Sequence, residues 1–438
     1  MDASSFFRGK NITLMRIGLL GRGVKDAAYL AECGANVLVV DDAPQEVMQP
    51  SVDALKDYSN ISFKFGPYDL ADFRDCDMVL KGAGTPLESP EIAEAKKHGI
   101  PVRMSADLFM ELSGVRTIGI TGTRGKSTTT HMLASILEAA GEQVLLGGNV
   151  RGVSTLALLP EATPEHVAVL ELDSWQCQGL GEAALSPHIA VFTTFFDDHL
   201  NYYKNDPAQY LADKSNIFLH QDPDDTLVMG SQCAPMLIEA YGEYIISNVV
   251  VAGEDTLPAE WTLAIPGKHN RYDAGIALAA ARAFGIDDTV SRRVLEAFQG
   301  VPGRLERIAE KDGITVYNDT TATTPEATLA ALSALNPSRT VLIMGGADKG
   351  LDMGALLAKL PSVKHIALLA GTGTERIRAE LPQAPVFTTL GEAVADAFSY
   401  AVPGDSILLS PAFASFGMFK NEFDRGDQFT ALVHDRHI

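Results

Sequence analysis

Thr121-Gly122-Thr123-Arg124-Gly125-Lys126-Ser127-Thr128 sets two glycines, a lysine and consecutive hydroxyls between an apolar run, Val115 to Ile120, and a helix-like one, His131 to Ala140. A polyphosphate needs backbone N–H donors it can approach without Cβ interference, a point positive charge, and a hydroxyl for the accompanying magnesium. Gly122, Gly125, Lys126, and Ser127 or Thr128 supply these at a helix N-terminus. The common pattern has a glycine where this chain has Ile120, with Gly119 one step early. The competing reading is a glycine-rich turn capped by threonines.

Other residues gain meaning from that loop. Glu171 ends one strand-like run and His199 follows another, so both converge on the loop if the strands lie side by side, and both could then flank phosphate-bound Mg²⁺. Lys214, in the helix-like run Tyr210 to Ile217, reads locally as a solvated surface charge. His269 and Asn270 precede a long alanine-rich helix, where Asn270 serves equally well as a plain N-cap. Arg304 could reach a phosphate, because guanidinium forks suit such oxygens. Three further loops follow strand-like runs: Asn318 to Pro325, Gly345 to Gly350 with Lys349, and Ser410 to Ser415. Hydroxyls and a lysine at three strand ends favour a small-ligand site.

The elements that must position these residues alternate strand-like and helix-like runs through the chain, which predicts an α/β fold of doubly wound, mainly parallel sheets. The first block, 1–112, has strand candidates Met15 to Leu20, Asn36 to Val40, Met78 to Leu80 and Val102 to Met104. Its first crossover carries Gly18 to Gly23, and its second strand ends at Asp41-Asp42, where a dinucleotide fold places a ribose-binding acid. The spacing G-x-x-G-x-G is not that of a nicotinamide site and suits another nucleotide-like ligand better. The second block, 113–298, holds the phosphate loop and strands at Val144 to Leu146, His166 to Leu172 and His188 to Thr194. The third, 299–438, begins at the Val301-Pro302-Gly303 turn, with strands at Ile314 to Tyr317, Thr340 to Met344, His365 to Leu369 and Ser406 to Leu409. The blocks read as a Rossmann-like first domain, a P-loop ATPase-like centre and a Rossmann-like third domain.

Composition narrows the field. A net charge of −21 repels nucleic acid and anionic membrane, so an anionic ligand must be held by local donors. Cys33, Cys76, Cys177 and Cys233 form no C-x-x-C pair, which argues for small core residues and against a zinc or disulfide framework. No run approaches a membrane span and Met1 to Lys10 lacks the order of a signal peptide, so a cytoplasmic location is expected.

The ordered set resembles the Mur ligases of cell-wall peptide synthesis. It comprises the phosphate loop, Gly147-Gly148-Asn149, Glu171 before Leu172-Asp173-Ser174-Trp175-Gln176, Asp198-His199, Lys214, His269-Asn270, Arg304 and Asn318-Asp319. Within that family the nearest resemblance is to the member that adds D-glutamate to UDP-N-acetylmuramoyl-L-alanine, on Gly345-Gly346-x-x-Lys349-Gly350, Ser410-Pro411-Ala412-x-Ala414-Ser415, Phe419-Lys420-Asn421 and Arg425-Gly426. The resemblance implies three domains that bind, in chain order, the UDP carrier, ATP and glutamate. It implies that Thr121, Gly122, Thr123, Arg124, Gly125 and Lys126 hold ATP phosphates, while Ser127 or Thr128 and Glu171 hold one Mg²⁺. His199 would ligate a second Mg²⁺, and Lys214 matches a lysine that is carbamylated in the family. His269 and Asn270 would flank adenine, Arg304 a phosphate and Asp319 the ribose. Gly21, Arg22 and Asp41 would hold the uridine diphosphate, and Asn149, with His199, the muramoyl substrate. Thr323, Lys349, Ser415 and Phe423 would cradle the incoming glutamate. A monomer is expected, with small-molecule substrates and neither nucleic-acid nor membrane partners.

Three departures are expected to surround the amino-acid site and to leave ATP activation intact: Asp273 for a second asparagine, Thr321 for a lysine, and Glu422 for a phenylalanine. They leave L-glutamate or another amino acid as an alternative acceptor. The implied reaction phosphorylates a carboxylate to an acyl phosphate, which the amine of glutamate attacks. Closure of the blocks is expected, with a hinge near Pro302-Gly303. Rival readings are a nucleotide-dependent switch without ligase activity and an NAD-dependent oxidoreductase.

Overall fold

The computed structural model describes residues 3–18, 21–196, 198 and 202–435. Three sheets follow one another along the chain. The first holds β1 (Asn11–Met15), β2 (Asn36–Asp41), β3 (Ile61–Phe65), β4 (Met78–Lys81) and β5 (Val102–Arg103), all parallel in the order β3-β2-β1-β4-β5. Ile12, Leu14, Val37 and Val39 face one buried layer, whereas Met15, Val40 and Val79 face another with Ile92 and Ala95. A strand buried on both faces reads as a continuous apolar run, and this misplaces the start of β1. The expected strand at Met15 to Leu20 lies instead at Asn11–Met15, and the chain after Met15 is a loop as far as it is described. The order reverses beside β1, leaving a crevice between the loops after β1 and β4.

The second sheet is also parallel, in the order β11-β10-β9-β6-β8-β7. Its strands are β6 (Arg116–Thr121), β7 (Gln143–Gly148), β8 (His166–Glu171), β9 (Ile189–Phe192), β10 (Thr226–Gly230) and β11 (Asn248–Ala252). Register sets Ile120 opposite Glu171 and Thr121 opposite Phe192, so the chemistry-bearing segments leave the sheet at one edge.

The third sheet has the order β12-β13-β17-β14-β15-β16. It contains β12 (Glu306–Lys311), β13 (Ile314–Asn318), β14 (Thr340–Gly345), β15 (His365–Leu369), β16 (Val386–Phe387) and β17 (Ser406–Leu409). Only β12 runs antiparallel to its neighbour. Apolar side chains fill both faces, Leu332 and Leu356 on one and Val394 and Phe429 on the other. The last strand returns between β13 and β14, and the helices after those two pack on the opposite face from the one after β17. Loops diverge at such a switch and leave room for a ligand.

By contact the chain forms two compact units, Met1–Ala259 with Tyr272–Val294 and Glu260–Arg271 with Leu295–Ile438. The first two sheets share the first unit. No helix of the described residues is long and apolar enough to cross a membrane. The four cysteines are unpaired, Cys33, Cys177 and Cys233 being buried.

Candidate active site

β6 feeds Thr121 directly into the phosphate loop, and the helix Lys126–Ala140 starts at its end. Backbone direction explains both glycines. Gly122 and Gly125 have φ of 137° and 85°, and a Cβ would lie 2.1 Å from Thr193 Oγ1 at the first and 2.3 Å from Asp273 Oδ1 at the second. The strand-end threonines after β9 buttress the loop. Thr123 N–H donates to Thr194 O at 2.7 Å and Arg124 N–H to Thr194 Oγ1 at 2.9 Å, while Thr193 Oγ1 donates to Arg124 O at 2.6 Å. Thr193 and Thr194 did not stand out as site residues, although a Thr-Thr pair at a strand end was the available signal. Lys126 Nζ donates to Gly122 O at 2.9 Å and Thr123 O at 3.2 Å. Its ammonium is thereby folded over the loop. Ser127 is buried and Thr128 half-buried on the first turn of the helix.

Lys214 is not a surface charge. It is 1% exposed, and its Nζ donates to Gly122 O at 2.9 Å and Thr121 Oγ1 at 3.3 Å. Burial, with the nearby Lys126 ammonium adding to it, pushes the amine down to about 7. An amine near 7 is substantially unprotonated at neutral pH and available as a nucleophile. Glu171, also buried, ends β8 beside the loop. Among the described residues no group of three or more His, Cys, Asp or Glu side chains gathers as a metal site. The donors at the loop include hydroxyls and the buried carboxylates of Glu171 and Asp273. His199 lies outside the described residues. Asp198 is described, with Arg124 Nη1 at 3.8 Å from its Oδ2.

Asn149, just past β7, links Glu171 to the helix that follows the first strand. Asn149 N–H donates to Glu171 O at 2.6 Å, and Asn149 Oδ1 accepts from Arg22 Nη1 at 2.8 Å. Gly21, in the left-handed region, starts the helix Arg22–Glu32. Asp41 ends β2, buried, with its Oδ1 accepting from Ala43 N–H at 3.1 Å. A cavity of about 360 Å³ lies at the β1–β4 crevice, lined by Gly18, Arg22, Asp26, Lys81, Ser154 and Gln176 among others. Of these lining groups Asp26 carried no sequence signal, whereas Lys81 lies in the glycine-containing segment Leu80 to Pro86, which reads in sequence as a loop after a strand, available to close on the same ligand. Asp26 Oδ1 accepts from Ser154 Oγ at 2.5 Å and Ser105 Oγ at 3.0 Å, and burial raises its carboxyl to about 6 despite both hydroxyls. Burial lowers the Lys81 amine to about 8, against the pull of Asp173, Asp107 and Asp213.

In the second unit the three loops meet. Lys349 Nζ donates to Thr323 Oγ1 at 2.9 Å. Ala412 N–H donates to Ala322 O at 2.9 Å, and Ala347 bridges Ala414. Ser415 Oγ is buried and makes no hydrogen bond among the described residues. Ala412, a non-glycine at φ 62°, is held there by this pairing. Asp319 is buried, accepting from Ser410 Oγ at 2.7 Å and Leu305 N–H at 3.0 Å. Burial raises its carboxyl to about 7 against those two donors and Arg304. Arg304 is exposed beyond the turn that Thr321 clamps, Thr321 Oγ1 donating to Gly303 O at 2.9 Å. Asn270 is buried and donates to Pro266 O at 2.6 Å, so its side chain closes the turn before its helix, while His269 is exposed. Phe423 is half-buried in the first turn of the helix Glu422–His434.

Arg425 on that helix escaped the sequence reading as a site residue. It is fully buried, and its guanidinium donates to Thr320 O at 2.7 Å, Thr320 Oγ1 at 3.1 Å and Phe413 O at 3.4 Å. It ties the loop after β13 to the loop after β17. The motif Arg425-Gly426 was visible in sequence; the carbonyls it holds were not.

Residues 120–261 match the Mur ligase middle domain and residues 303–413 the Mur ligase glutamate ligase domain. The chain is 35% identical over 97% of its length, and 98% of the relative's, to a UDP-N-acetylmuramoylalanine--D-glutamate ligase of Roseiflexus. It is 34% identical to the protein of the same name in Geobacillus kaustophilus, over 99% of each chain. The chain belongs to the Mur ligase family. Solved structures agree in fold: a UDP-N-acetylmuramate-alanine ligase from Thermotoga maritima aligns at TM-score 0.61, 18% identity, over 97% of this chain and 99% of that one. A MurF ligase of the same organism, in complex with ADP, aligns at 0.60 and 17%, over 100% and 98%. As a Mur ligase, the protein is an ATP-dependent acid–amino-acid ligase of three-sheet α/β architecture.

Proposed function

We propose that this Mur ligase joins D-glutamate to UDP-N-acetylmuramoyl-L-alanine, converting ATP to ADP and phosphate. The observation that carries the reading is the cradle over the third sheet. There Lys349 meets Thr323 and the buried Ser415 hydroxyl is left to bond a ligand, as an amino acid with two carboxylates requires. The names of the near-full-length relatives point the same way.

The residues at the phosphate loop fit ATP and magnesium, since Gly122 and Gly125 allow a loop pressed against Thr193 and Asp273 where any Cβ would collide, Lys126 supplies a cation, and Glu171 brings a buried carboxylate to its edge. Ser127 or Thr128 with Glu171 would hold one ion, and His199 with Lys214 a second. Bound Mg²⁺ would neutralise charge between the γ-phosphoryl group and the attacking carboxylate. Lys126 would exchange its bonds to the loop carbonyls for phosphate oxygens. The unprotonated Lys214 amine can add to carbon dioxide, forming an N–C bond and releasing a proton. The resulting carbamate is an anion suited to magnesium.

In this reading Gly21, Arg22 and Asp41 in the first domain, 1–112, bind the uridine diphosphate, and Asn149 orients the muramoyl arm toward Glu171. ATP occupies 113–298, with His269 and Asn270 for its adenine, Asp319 for its ribose and Arg304 for a phosphate. Lys349, Thr323, Ser415 and Phe423 in 299–438 hold glutamate so that its amine attacks the acyl phosphate, which expels phosphate. The enzyme acts as a cytoplasmic monomer. Supplying ATP and UDP-N-acetylmuramoyl-L-alanine with each glutamate enantiomer separately tests the proposal. Amide product is expected with D-glutamate. Product with L-glutamate instead overturns the stereochemical assignment, and sustained ATP hydrolysis without either acceptor overturns ligation.

A further inference from the structure

β11 is an edge of the second sheet, paired on one side with β10 and, among the described residues, with no other strand. At the opposite edge, Leu145, Gly147 and Gly148 of β7 are buried, whereas Asn248 to Val251 of β11 are all exposed. Val249 is 46% and Val251 50% exposed, and Ile246 just before them 61%. Tyr244 and Ile238 extend the same apolar surface toward the helix Ala234–Tyr241. Large hydrophobics exposed among the described residues concentrate in this span more than anywhere else. Natural sheets blunt such edges with lysine, proline or bulges. β11 reads Asn-Val-Val-Val-Ala and has none of these.

Charge says what suits this edge. From 221 to 267 the sequence contains no Lys, Arg or His, while Asp222, Asp224, Glu239, Glu243, Glu254 and Asp255 are exposed on the segments that flank it. A second copy would bring the same acidic rim against this one, in a chain already at −21. A basic partner would not. We propose that β11 docks an extended segment of another protein in which apolar residues alternate with Lys or Arg. The segment would add as a strand through main-chain hydrogen bonds, its apolar side chains meeting Val249 and Val251 and its cations the acidic rim.

The probe is an end-blocked peptide of alternating valine and lysine, titrated by fluorescence anisotropy against the full chain, alongside an analogue with glutamate in place of lysine. The lysine peptide is expected to bind, more weakly as salt rises, and the glutamate peptide not to. The double variant Val249→Thr/Val251→Thr keeps β-branched side chains and all acidic residues. It should keep wild-type ligase activity and circular dichroism but bind the lysine peptide at least about tenfold more weakly. No binding of the lysine peptide, equal binding to the double variant, or equal binding of the glutamate peptide would each overturn the proposal. So would sedimentation of the wild type as a dimer that the double variant dissolves, which would make a second copy the occupant.

Discussion

The phosphate loop and the cradle over the third sheet are both built on the carboxyl ends of parallel strands, but they handle charge in opposite ways. At the phosphate loop two lysines crowd together, and Lys214 is buried so completely that its amine falls to about 7. Over the third sheet the buried acid is the perturbed group, Asp319 rising to about 7, and the lysine bonded to Thr323, Lys349, stays exposed. One site keeps a base ready to lose its proton. The other keeps an acid ready to hold one. The first is preorganised by backbone, the second by side chains, chiefly Arg425 and Ser410.

The sharpest way to break this comparison is at Lys126. Removing one preorganised charge of this kind typically costs ~10²–10³ in rate, so Lys126→Ala should lower kcat by that factor while leaving the glutamate KM near wild type. Wild-type turnover in the variant would show that the loop's charge does not serve the reaction. At the cradle the expectation is reversed. Lys349→Met removes one cation from an exposed position and should raise the glutamate KM about tenfold or more with little change in the ATP KM. A shift in the ATP KM alone would take Lys349 out of the cradle.

How far each site was legible follows from the same contrast. The phosphate loop is contiguous, so types and spacing between Thr121 and Thr128 were enough to propose it, and the strand–loop–helix context was found as expected. The cradle comes from three segments, and its strand-end loops were recognisable from the hydroxyls and the lysine. Arg425 was not, because a buried guanidinium bonded to carbonyls looks in sequence like any helix-surface arginine. Lys214 shows the same limit from the other side: its neighbours on the helix suggest a surface, and only the packing against Thr121 and Gly122 makes it a site. In the fold, many of the parallel buried strands announced themselves by continuous apolar runs, although the buried β10 was not among the expected strands. β12 did not, since Glu-Arg-Ile-Ala-Glu-Lys is half-buried on an antiparallel edge and carries the alternation of a surface. β1 was displaced because the apolar run continues past its end into the glycine loop.

Arg425→Lys tests whether the cradle is held by side chains. A lysine can satisfy at most part of what the fork reaches, leaving buried carbonyls unpaired, and the loss should be about 2 kcal/mol in denaturant unfolding. The glutamate KM should rise with it, because the loops after β13 and β17 would separate. Stability lost without any change in KM would make Arg425 a packing residue only.

The mirror relation between Lys214 and Asp319 can be sharpened by pH. A lysine lowered to about 7 in the fold, from an ordinary 10.5, penalises folding fully below pH 7; the penalty shrinks as pH rises and is gone above 10.5. An aspartate raised to about 7 from 3.8 does the reverse, with no penalty below 3.8 and the full one above 7. Lys214→Met should therefore gain more stability relative to wild type at pH 6.5 than at pH 8.5, and Asp319→Asn more at pH 7.5 than at pH 5.5. Each difference should be about 1–2 kcal/mol, from about 1.4 kcal/mol per pH unit inside the titrating window. Urea midpoints measured at those four values decide it. Parallel pH trends in the two variants would mean that the opposed buried charges are not what distinguishes the sites.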